Sequence, residues 1–118
     1  MNYTIKVERQ ITKEQMSDIM CAAFEGGINY WVEGMIRVPD FHGLEYASEV
    51  VGHGYPAFIK PDDEDEEVEI NRQKLEKALE ILAKDYPAIA HRLASEEYDA
   101  GDADVLVQLA CFGTVVYG

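Results

Sequence analysis

The side chains able to do chemistry are spread unevenly along the chain. His42 and His53 bracket Glu45 and Glu49 in a Gly-rich stretch. On a helix, His42-x-x-Glu45 would set an imidazole and a carboxylate on one face, a loose match to a metal-ligand pair. Neither a His-Glu-x-x-His nor a Cys-x-x-Cys accompanies them, so the reading expects surface histidines and no metal. Six consecutive acids, Asp62, Asp63, Glu64, Asp65, Glu66 and Glu67, hold carboxylates enough for calcium. They lack the sixth-position Gly and twelfth-position Glu of an EF-hand loop. A block of like charge stays hydrated, so this one reads as a solvated hairpin tip whose sharper role is contact with a basic partner. Tyr30 and Trp31, the latter the only Trp, could stack on a base or a sugar. The competing reading, which the size of the two rings favours, puts at least one of them in the core.

The other catalytic signatures are missing. Ser17, Ser48 and Ser95 lie in no Gly-x-Ser-x-Gly elbow. Gly26-Gly27 and Gly52-His53-Gly54 lack the Lys-Ser/Thr ending of a phosphate loop. Cys21 and Cys111 sit in apolar, helix-like segments with no cationic neighbour, the pattern of reduced core thiols. The expectation is a protein without catalysis and without a cofactor.

Charge narrows the partners. Ten Lys and Arg face 23 Asp and Glu, a formal net charge of −13. Phosphate backbones and anionic membrane surfaces would be repelled, so neither direct nucleic-acid nor membrane binding is expected. A basic protein would be attracted. Met1 is followed by Asn2-Tyr3-Thr4, with no basic or apolar leader pattern, and no apolar run has the length of a membrane span. The expected place is the cytoplasm.

At 118 residues the chain is read as one domain, 1–118, long enough to bury roughly two-thirds of its unfolded surface. Residues 3–8 alternate as a strand with Tyr3, Ile5 and Val7 inward. Thr12 and Gln15 form a capping box, with Ile11 and Met16 as a hydrophobic staple. Met16, Ile19, Met20, Ala23 and Phe24 give a helix over 13–25, ended by a left-handed Gly26 or Gly27. Residues 30–32 and 35–38 read as strand, interrupted at Gly34, and Leu44, Ala47, Val50 and Val51 as a short helix ending at Gly52 or Gly54. Residues 57–70 read as a hairpin with the acidic run at its tip. Asn71 caps a helix with the stripe Leu75, Ala78, Leu79 and Leu82, and Pro87 opens a short one over 87–94, where Ile89 and Leu93 pack but His91 and Arg92 do not. Asp102 is expected to cap a last, well-buried helix ended by Gly113, and 114–117 to form a short strand. The fold class is α+β, a small, mostly antiparallel sheet with helices packed on one face. An edge strand at 57–60, or the terminal strand, could pair between chains, which leaves a homodimer open.

Two stretches carry a family resemblance. Ala23-Phe24-Glu25-Gly26-Gly27-Ile28-Asn29-Tyr30-Trp31 resembles a pattern in small acidic proteins of bacteriophages, prophages and their bacterial hosts. Tyr98-Asp99-Ala100-Gly101-Asp102-Ala103-Asp104, then Gln108, Phe112-Gly113 and Val115-Val116-Tyr117-Gly118, is similar to how those proteins end. The middle, 41–95, is not matched. The resemblance implies a mobile-element accessory protein of the bacterial cytoplasm and carries over no catalytic residues.

Three functions are weighed. The first is an acidic inhibitor that occupies a basic groove on a host protein such as a defence nuclease, as anti-CRISPR and other DNA-mimic proteins do. The second is a nucleotide or other small-ligand binder using Tyr30, Trp31 and residues 52–54. The third, an enzyme built on His42 or His53, ranks last.

Overall fold

The computed structural model describes residues 1–5 and 8–118. Its helices are α1 (Lys13–Ala22), α2 (Ala47–Gly52), α3 (Arg72–Asp85), α4 (Pro87–Ala94) and α5 (Ala100–Phe112). Its strands, β1 (Ala57–Ile59) and β2 (Val68–Ile70), pair antiparallel in the register Ala57 with Ile70, Phe58 with Glu69 and Ile59 with Val68. The fold is a small α+β one.

The core is legible from local chemistry. Thr12 and Gln15 exchange the two bonds of a capping box and start α1, which buries Met16, Ile19 and Met20. The Asn71 side chain accepts from the Lys74 N–H and starts α3, which buries Leu75, Ala78 and Leu82. Pro87 occupies the first turn of α4, and Leu93 is buried with Ile89 packed against the core. The last helix, α5, buries nine of its thirteen residues and runs through the centre, against α3 and the end of α1. Gly113 ends it at φ 75°, a left-handed position that suits Gly best. In α2, Gly52 packs directly on α1, where a methyl group would lie 2.6 Å from the Ser17 backbone N and Cα.

Five local expectations are corrected. Tyr3 and Ile5 do not face inward: each is 90% exposed, and the described residues 1–5 form no strand. Alternation needs an edge to pair with, and the sheet offers little. The outer edge of β1 is taken by Arg37, bridged to Phe58, and the Glu69 carbonyl on β2 accepts from Lys74 Nζ at 2.7 Å. Val7 lies outside the described residues. Second, neither Gly26 nor Gly27 is left-handed. The helix widens instead into a π-helical turn, Ala23–Gly27, in which the Ile28 N–H donates to the Ala23 carbonyl. Third, 30–38 makes two isolated bridges, Val32 with Pro61 and Arg37 with Phe58, instead of strands. Gly34, at φ 74°, bends the chain between them. Fourth, Asp99 is the N-cap of α5, with Asp102 the other half of its capping box. Arg92 then does make a contact: its guanidinium grips the buried Asp102 through Nε at 2.7 Å and Nη2 at 2.8 Å. Fifth, 114–117 forms no strand, because the Gln108 side chain takes the backbone bonds of Val116 and Tyr117.

Candidate functional site

The acidic run sits where the sequence places it, on the loop from β1 to β2, and all six residues of 62–67 are exposed. The loop is pinned from beneath. Lys60, at the end of β1, donates through Nζ to Glu33 Oε2 at 2.6 Å, to the Glu64 carbonyl at 2.7 Å and to the Pro61 carbonyl at 3.3 Å. The hydrogen bond to Glu33, with the charges of Glu33, Asp65 and Asp62, holds the Lys60 ammonium above its ordinary pKa. At the far end Arg37 donates from Nε to both carboxylate oxygens of Glu67 at 2.9 Å, with its guanidinium 4.2 Å over the Phe58 ring. Between them the Tyr117 hydroxyl donates to Asp63 Oδ1 at 2.5 Å. The Asp62 N–H donates to the Trp31 carbonyl at 2.8 Å. The six carboxylates therefore stand on a framework of one lysine, one arginine and one tyrosine. Their outward sides stay in water.

The loop's inner supports belong to a buried polar network. Trp31 is 2% exposed, and its indole N–H donates to Asp104 Oδ1 at 2.8 Å. Tyr30 donates its hydroxyl to Asp104 Oδ2 at 2.6 Å. Gln108 Nε2 donates to Asp104 Oδ1 at 3.0 Å, to the Tyr117 carbonyl at 3.1 Å and to the Tyr30 hydroxyl at 3.3 Å. Burial first, then the bond to Asp104, pushes the Tyr30 phenol up to about 12. The bond to Asp63 does the same for Tyr117, also to about 12. One face of Trp31 is covered by the Tyr117 ring, 5.0 Å between centroids and 7° from parallel. Trp31 is thus a core residue, and Tyr30, 56% exposed, keeps an open side.

The histidines are not brought together. His42 stacks on Tyr55 at 3.7 Å, its backbone N–H donating to Asp40 Oδ1, while the His53 Nδ1 lies 2.8 Å from the Glu49 carbonyl at the end of α2. Among the described residues no three His, Cys, Asp or Glu side chains converge as a metal site. Burial pushes the Cys111 thiol up to about 12, and burial with the nearby Glu25 raises Cys21. A reactive thiol needs the opposite setting.

No family model, curated protein or solved structure matches this chain.

Sequence reasoning located the acidic loop but missed its pins, Lys60, Arg37 and Tyr117, and the two polar residues beneath them. Asp104 and Gln108 had a signal: they stand four apart in a helix whose other residues, apart from Asp102 of the capping box, are apolar or glycine. A polar pair on one face of a buried helix must find partners inside the protein. Through it the two stretches that carry the resemblance, 23–31 and 98–118, touch one another.

Proposed function

We propose that this chain is a non-enzymatic binding protein whose working surface is the acidic loop 62–67, and that its partner is a basic protein. The observation that carries the reading is the pinning of that loop. A solvated charge run left to itself is mobile, and a partner would have to order it at an entropic expense. Here Lys60, Arg37 and Tyr117 hold the run from below while Asp62, Asp65 and Glu66 present their carboxylates outward. A fixed row of negative charge suits a groove that itself selects phosphates. Together with the resemblance in its two ends, this favours an accessory protein of a phage or prophage that blocks a host protein such as a defence nuclease in the bacterial cytoplasm. The ring of Trp31 is occupied by Tyr117, so the small-ligand alternative gains no support from it.

The test is capture from a bacterial lysate on the immobilised chain at low salt. A basic protein should be retained and released as salt rises, because exposed charge pairs are screened over about 10 Å at 0.1 M. Retention of no basic protein at low salt would sink the proposal.

A further inference from the structure

Where α1, α2 and α3 meet, the chain loses its acidic character. They enclose a cavity of about 390 Å³, at the small end of the range for small-molecule sites. Its floor is apolar, made by Met16, Val51, Leu75 and Leu79. Lys13, His53 and Arg72 also line it, against a single carboxylate among the described residues, Glu76. In a chain with 23 acids to ten Lys and Arg, that balance is inverted. The Arg72 stem lies against Gly54, where at φ 93° a methyl group would come within 3.3 Å of the Arg72 Cδ. Arg72 Nε donates to Glu76 Oε1 at 2.9 Å. Among the described residues its two Nη groups have no partner, and Lys13 has no ion pair.

Neither cation is placed for stability. Lys13 and Arg72 are the first residues of α1 and α3. A helix begins with partial positive charge, so acids stabilise its first turn and Lys or Arg there is unfavourable. In α5 the same region is held by acids, Asp102 and its cap Asp99. The bond from Arg72 to Glu76 recovers little, since both side chains are exposed and a cation four residues before an acid is the weaker order. A chain that breaks a local rule twice at one cavity has a use for the charge there. We propose that this cavity binds a small organic anion, with its apolar body on Met16, Val51, Leu75 and Leu79 and its anionic head on Lys13 and Arg72. The free Nη groups supply charge-assisted hydrogen bonds to the head, and its charge relieves both cations. The site is separate from the acidic loop 62–67, so the two readings stand or fall independently.

The test is an amide NMR titration of the full chain with phenyl phosphate, beside inorganic phosphate as the head alone and phenol as the body alone. Phenyl phosphate should shift the amides of Lys13, Gly52, Gly54 and Arg72 saturably, with an affinity at least about tenfold above that of either fragment. Lys13→Gln and Arg72→Gln should each weaken it about tenfold, since each removes a charged contact to the head. Both variants should melt at the temperature of the natural chain or higher, because each takes a cation away from a helix start. A clear fall in either melt would make that cation a structural one and overturn the proposal. So would the absence of saturable shifts at these amides up to about 10 mM phenyl phosphate, or a response that both variants leave unchanged. Phenol binding as tightly would reduce the cavity to an apolar cleft, and inorganic phosphate binding as tightly would reduce it to a charged surface. Either result also overturns the assignment.

Discussion

The indole N–H of Trp31 donates to the buried carboxylate of Asp104 at 2.8 Å, across 73 residues of sequence. The same oxygen accepts from Gln108, and the other accepts from Tyr30. Asp104 thus joins α5 to the Tyr30-Trp31 turn that follows the π-helical residues and, through Gln108, to residues 116 and 117. Asp104→Ala would leave the Trp31 N–H buried with no acceptor and strip a partner from Gln108 and Tyr30. Each unsatisfied buried group costs about 1–3 kcal/mol, so a loss of about 3 kcal/mol is expected in urea denaturation. Asp104→Asn keeps one oxygen for Trp31 and Gln108, and the Tyr30 hydroxyl can turn to accept from its amide, so about 1 kcal/mol is expected. Equal losses for the two variants would remove Asp104 from this role.

Gly27 packs where no side chain fits. A methyl group there would overlap the backbone carbonyl oxygen of Ala100 and approach the Asp104 Cβ to 3.5 Å. Gly27→Ala should destabilise by about 2 kcal/mol through overpacking. Gly26→Ala meets nothing within 4 Å and should be neutral or slightly stabilising, since Ala restricts the unfolded chain. Thermal melts of the two variants separate close packing at Gly27 from a general need for glycine.

Two strongly raised phenols contribute to the alkaline limit, beside the buried Cys111 thiol, which burial also pushes up to about 12. Tyr30 and Tyr117 titrate near 12 in the folded chain, against about 10 when unfolded. Folding therefore favours their protonated forms. The stability they contribute is complete below the unfolded value and is lost as pH rises through the folded one. The denaturation midpoint should fall from about pH 9, where the unfolded Cys111 thiol begins to ionise, and more steeply above about pH 10, where Tyr117→Phe should fall less steeply than the natural chain. Parallel curves would show that the Tyr117–Asp63 bond contributes nothing.

Asp102 sets an acid limit with the opposite sign. Its hydrogen bonds from Arg92, helped by the Asp99 N–H and opposed by burial, hold its carboxyl below the ordinary value. That stability is complete above the unfolded pKa of about 4 and is lost as pH falls through the lower folded value. Asp102→Asn should be less stable than the natural chain at neutral pH, with the gap closing in acid. A gap independent of pH would mean that the capping bond matters and the charge pair does not.

Helices were readable where a stripe and a cap agree, as in α3 with Asn71 and Leu75, Ala78 and Leu82, or where Gly113 ends a helix whose apolar residues cover more than one face. The hairpin was readable because six acids cannot be buried between the apolar Ala57-Phe58-Ile59 and the alternating Val68-Glu69-Ile70. Strands were misread where alternation had no neighbour to pair with. Tyr3 and Ile5 find no free edge, and the backbone of Val116 and Tyr117 follows a side chain, Gln108, that does the work of one. The importance of Gly26-Gly27 was visible, but its cause was not. The constraint on Gly27 comes from Ala100, a contact that no local pattern encodes. At the candidate site the charge could be read from the sequence. The pinning could not, because Arg37 and Tyr117 reach the loop from distant parts of the chain and Lys60 turns back under it to meet Glu33.

The central claim is that the acidic loop binds because it is held, and Lys60→Met tests this most directly. The substitution removes the pin at Glu64 and Glu33 while making the chain one charge more negative. The measurement is the affinity for the basic protein retained on the immobilised chain, at fixed low salt, for the natural chain, Lys60→Met and a variant with 62–67 converted to the corresponding amides. The account predicts that the amide variant loses binding and that Lys60→Met weakens it about tenfold despite the added negative charge, as expected when a preorganised element must be ordered on binding. Unchanged or tighter binding by Lys60→Met would reduce the loop to bulk charge. Undiminished binding by the amide variant would contradict the account altogether.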